Sequence, residues 1–159
     1  MSELSEAVET AKRMINQIIE VNGDEIGCPA LFAVNKAGSR GIGACKTSDF
    51  SRITKSLLVK LKEAEVNTYC FFFEAKMSAI SMGTNDSAMH SSSSNDHSLS
   101  PAFLPEATDV VCLFAATNGV EFERWLAMVK ETPDGRKVGK WAKLPNDAAA
   151  LGMDFPHKW

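Results

Sequence analysis

The sequence contains no apolar run approaching the ~18–20 residues that a membrane-spanning helix needs. It has no Cys-x-x-Cys pair. Its four cysteines, Cys28, Cys45, Cys70 and Cys112, lie 17, 25 and 42 residues apart. That spacing excludes a zinc ribbon or finger, and small buried thiols in a reducing compartment are expected instead. No Gly-x-Ser-x-Gly elbow occurs, so the abundant serine offers no hydrolase nucleophile. No Walker loop or Gly-x-Gly-x-x-Gly is completed either, because the glycines they require are replaced by Arg40, Cys45 and Lys46. An excess of one charge is also missing. The 17 bases and 20 acids leave a formal net charge of −3, and a pI near 5.6 gives no domain-wide basic footprint for nucleic acid.

What is present suffices for a core. The chain has 159 residues, 45% of them hydrophobic. Leu, Ile, Val and Phe make up about 23% of it, above the level at which chains stay unfolded. A chain of this length reads as one α+β domain, residues 1–159, burying roughly 68–70% of its unfolded surface. The first 25 residues carry six acids against two bases, unlike a signal peptide, so a cytoplasmic protein is expected.

Periodicity places the elements. Leu4, Ala7, Val8, Ala11, Ile15, Ile18 and Ile19 predict an amphipathic helix over 4–21. Residues 30–34 read as a strand and 41–45 as the return arm of a hairpin. Ser48 and Asp49 offer capping oxygens to a second helix whose apolar face is Phe50, Ile53, Leu57, Leu58, Leu61 and Ala64. Residues 66–75 and 108–116 predict central strands, the first of them covered on both sides. Residues 120–131 fit a helix or a strand. Thr132-Pro-Asp-Gly-Arg136 favours the strand, because it supplies turn chemistry for a hairpin with 137–144.

Between these strands lies a Ser-rich insertion, 77–105. Nine of the 23 residues from Ser78 to Ser100 are serine, a composition that predicts a mobile loop. Residues 147–151 suggest one helical turn, and 153–159 form an aromatic tail. The expected fold is a mostly antiparallel five- or six-stranded sheet with two main helices on one face. That order of elements resembles profilin-like and roadblock-like modules, a likeness of fold that does not fix function.

Three regions could carry function. The loop Arg40, Gly41, Gly43, Lys46, Thr47, Ser48 leads into the second helix, a setting that suits a phosphorylated small molecule or nucleotide. The second region is defined by charge. Residues 36–62 hold seven bases (Lys36, Arg40, Lys46, Arg52, Lys55, Lys60 and Lys62) against Asp49 alone. Such sign separation steers an acidic or phosphorylated partner. Arg52 and Lys55 here, with Trp141, Phe155 and Trp159, are the expected contacts for a protein partner or a second copy, the alternative for the tail aromatics being to pack on their own domain. The third is Asp86, His90, Asp96 and His97, a donor set for a metal-dependent hydrolase, though on a chain too floppy to pre-organise ligands. No constellation sets a nucleophile, base and orienter on rigid elements, so no catalytic residue, metal or cofactor is assigned. The favoured expectation is a non-catalytic interaction or regulatory module, possible as a homodimer.

Overall fold

A computed structural model describes residues 2–45, 49–77, 108–145 and 155–159. The Ser-rich insertion with its His and Asp residues, the segment Lys46, Thr47 and Ser48, and the turn expected at 147–151 lie outside them. Helix α1 (Glu3–Asn16) opens with Ser2, whose hydroxyl accepts from the Ser5 amide, and runs on into a π-helical turn, Gln17–Val21. Strands β1 (Ala30–Asn35) and β2 (Arg40–Ala44) precede helix α2 (Phe50–Glu63). There follow β3 (Val66–Met77), β4 (Thr108–Thr117), β5 (Glu121–Thr132), β6 (Gly135–Val138) and β7 (Ala142–Leu144).

All strand pairs are antiparallel, in the order β2-β1-β3-β4-β5-β6, with β7 also on β5. The fold is therefore α+β, built on one antiparallel sheet. The ambiguous segment is strand: Glu121 pairs with Thr117 and Val129 with Asp109 along the whole of β4. Its hairpin turns at Gly135, whose φ of 118° suits glycine. The expected return arm is broken into β6 and β7, the Gly139 amide bonding the Met128 carbonyl between them.

The helices do not share a face, contrary to expectation. Leu4, Val8, Ala11 and Ile15 of α1, with Ile19 of the π-helical turn, pack on Phe32, Cys70, Phe72, Val111, Leu113 and Ala127. Ile53, Leu57 and Leu61 of α2 pack on Tyr69, Phe71, Phe73, Cys112 and Phe114. Successive strand residues point to opposite faces, so these two sets belong to opposite sides of β3 and β4. The physical reason is that β3 and β4 are apolar at every position of their centres. A single layer of helices would leave half of those side chains in water.

Two long-range ties close the structure. The guanidinium of Arg136 bonds Glu74 through both of its terminal nitrogens at 3.1 Å and the Asp24 carbonyl at 2.8 Å. Its pKa is raised, first by the hydrogen bond to Glu74. The aromatic tail forms the second tie. The Phe155 ring, 3% exposed, lies 4.7–6.2 Å from those of Phe50, Phe71, Phe73 and Phe114.

Candidate interaction surface

Strand β2 lies at an edge of the sheet and is exposed along its whole length. Its register with β1 decides which backbone groups are free. Asn35 N–H bonds the Ser39 carbonyl and Cys45 N–H bonds the Pro29 carbonyl, at 3.0 and 2.7 Å. Hydrogen-bonded pairs alternate in an antiparallel ladder, so Gly41 and Gly43 also face β1. The N–H and C=O groups of Arg40, Ile42 and Ala44 therefore point away from the sheet. No hydrogen bond to them is made among the described residues. Ile42 is 70% exposed, although its cross-strand neighbour Phe32 is in the core.

At the opposite edge one outward amide is taken. A Glu20 carboxylate oxygen, from the π-helical turn, accepts the outward amide of Val138 at 2.8 Å. Exposed strand edges invite pairing, and proteins usually block them with charge, proline or a covering element. At β2 the strand contains neither proline nor acid, and its single charge is Arg40.

On the other side of the sheet from α1 stands α2 with its basic face. Asp49 caps the helix, accepting from the amides of Ser51 and Arg52. Arg52, Lys55, Val59 and Lys62 recur at three- and four-residue intervals, which sets them in one exposed stripe. Val59 in its middle is 53% exposed. Lys36, Arg40, Arg52, Lys55, Lys60 and Lys62 make no salt bridge among the described residues. Cations elsewhere do, such as Lys143 to Glu123 and Lys76 to Asp109. Lys60 is close enough to the end of β2 to act on the Cys45 thiol. Burial raises that thiol's pKa, and the lysine partly offsets the rise.

The residues singled out from sequence are thus distributed unevenly. Arg40, Gly41 and Gly43 lie in extended β2 rather than in a phosphate-cradling loop, and the two glycine amides are engaged by β1. The first amides of α2 are likewise engaged, by Asp49. Arg52 and Lys55 are exposed on α2. Trp141 is half-buried, packed against the α1 side of the core. Phe155, which the sequence offers either to a partner or to its own domain, is part of the chain's own core, where five rings exclude water together. Trp159 docks similarly: its ring N–H donates to the Val66 carbonyl at 2.9 Å and its backbone N–H to Asn118 at 2.8 Å.

The free edge and Val59 were not singled out in the sequence. A short strand without proline or acid beside a basic helix is the signal that points to them. One open cavity of about 400 Å³ lies between Gly119, Val120, Phe122 and His157. The His157 ring stacks on Phe122 at 4.5 Å and makes no hydrogen bond among the described residues. Also among these, no three His, Cys, Asp or Glu side chains are grouped to hold a metal, and no helix is long and apolar enough to cross a membrane. Comparison with known proteins finds no matching family, no similar curated protein and no similar solved structure.

Proposed function

We propose that the chain is a non-catalytic interaction module that binds an acidic protein partner on the α2 side of its sheet. The observation that carries this reading is the segregation of charge across the sheet. Six of the 20 acids fall in residues 1–25, on and just beyond α1. The basic stripe lies on α2, with the sheet between the two helices. Several of the acids are engaged within the chain: Glu3 accepts from Asn67, Glu9 pairs with Lys12 and Glu20 caps Val138. The α2 cations have no such internal use, which leaves their field directed at solvent. Such a field raises the rate of encounter with an acidic surface and orients it on arrival. Val59 supplies an apolar contact at the centre, where interfaces exclude charge.

Binding of a short fluorescein-labelled oligoglutamate peptide, followed by anisotropy, tests the reading. Affinity should fall steeply with added salt, because exposed charges are screened. The combined variant Arg52→Glu, Lys55→Glu, Lys62→Glu should abolish binding with little change in thermal midpoint, since single exposed charges contribute little to stability. Salt-insensitive binding that survives the reversal would overturn the proposal.

A further inference from the structure

We infer that the partner's contacting segment is extended and acidic, and adds to β2 as a further strand of the sheet. This rests on the reading of α2 as a surface for acidic partners, and the test below separates the two. Three consecutive outward residues, Arg40, Ile42 and Ala44, present an N–H and a C=O each, at the two-residue repeat of a strand. An extended segment satisfies all of them at once, the binding mode known as strand addition.

The side chains choose the occupant. On the α1 face of β2 stand Arg40, Ile42 and Ala44. A partner strand places every second residue on that face, apolar against Ile42 and Ala44, so that its remaining residues, acidic ones, fall on the α2 face. On the α2 face Gly41 and Gly43 contribute no side chain, and a Cβ at either would meet nothing within 4 Å. Acidic side chains on that face lie on the α2 side of the sheet, where Lys60 is close enough to the end of β2 to act on Cys45. A second copy fits less well. Antiparallel pairing of two β2 edges about a two-fold axis normal to the sheet puts both basic helices on the same face, like charge beside like.

The probe is a short peptide of alternating glutamate and valine, titrated into the full chain alongside the oligoglutamate. Ile42→Pro removes an amide that points away from β1, so the β1–β2 ladder keeps its bonds while the edge loses a donor. Its Kd for the alternating peptide should rise at least about tenfold, with oligoglutamate binding nearly unchanged. In the parent, the alternating peptide should slow amide hydrogen exchange at Arg40, Ile42 and Ala44 and leave Gly41 and Gly43 as they were. If the proline variant does not fold, a fully N-methylated peptide serves, keeping its charges but donating no hydrogen bond; it should bind at least about tenfold more weakly. An unchanged Kd in these comparisons, or protection confined to α2, overturns strand addition and leaves the α2 reading standing. Failure of both peptides to bind overturns the two together. A parent that sediments as a dimer, made monomeric by Ile42→Pro, assigns the edge to a second copy and overturns the acidic-segment inference.

Discussion

Replacement of Phe155 by alanine probes how the tail is held. The ring is 3% exposed and touches the aromatic cluster of Phe50, Phe71, Phe73 and Phe114 at centroid distances down to 4.7 Å. Truncating a buried phenylalanine costs about 3–5 kcal/mol, made up of lost transfer free energy and the cavity left behind. The neighbours here belong to the central strand pair and to α2, which are bonded on all sides and have little freedom to collapse into the gap. The upper half of that range is therefore expected. For a domain of this size each kcal/mol shifts the midpoint by roughly 2–4 °C, so the variant should melt about 10 °C or more below the parent. Urea unfolding followed by tryptophan fluorescence, at two widely separated protein concentrations, measures the loss directly. Because the pocket for the ring is made by its own chain, the loss should be the same at both concentrations. A loss below about 1 kcal/mol would refute this account of the tail. So would a parent whose stability rises with concentration, as mass action requires when a second subunit covers the ring.

Other outcomes follow from the same geometry. Glu74→Ala leaves the Arg136 guanidinium without its bidentate partner at a site where both side chains are about nine-tenths covered, and should cost about 3–5 kcal/mol in urea unfolding. Replacing both residues by apolar ones of similar size should cost much less. Asp49→Ala removes the N-cap of α2 and should lower stability by about 1 kcal/mol, measurable as a reduced urea midpoint. Burial moves the Cys112 thiol from 9.0 up to about 12 and pushes Cys70 up as well. The folded state therefore holds these thiols neutral where the unfolded chain ionises them. The thiols' contribution to stability should be constant below pH 9.0 and decline from there toward about 12, as an alkaline unfolding series would show. In the native protein a thiol reagent should modify exposed Cys28 first, and Cys70 and Cys112 only on unfolding.

Much of this fold is legible in the sequence, element by element. The three-to-four spacing in α2, the aromatic run of β3 and the turn at Pro133-Asp134-Gly135 each carry a local signal strong enough to survive packing. The mutual placement of the helices was also legible, through β3. Tyr69, Phe71 and Phe73 alternate with Cys70 and Phe72, and a strand apolar on both faces requires a layer on each. Two helices on one side could never have met that requirement. Other features have no local signature. Glu74 and Arg136 are 62 positions apart, and only the strand order β3-β4-β5-β6 brings them across the sheet to each other. The tail's place in the core likewise depends on the shape of the space between α2 and the sheet. As for the candidate surface, the charge of residues 36–62 was evident, whereas the free edge was not. Whether a strand ends up outermost is a property of the whole sheet order, which no single segment encodes.

The carboxylate of Glu20 on the Val138 amide has a consequence for how the molecule can assemble. A sheet with two open margins can be extended from either side, and each addition exposes a fresh margin for the next. Such growth ends only in a filament or an aggregate. Here one margin has its stopper fitted by the chain itself, from a turn of helix wound one residue wider than usual. Whatever is added at β2, this position on the far side is already taken by the chain itself. Freeing that amide, by Glu20→Ala, would open the far margin further to an added strand. Fibre formation on storage, faster than in the parent, would then be the visible sign that this carboxylate restrains growth from that side.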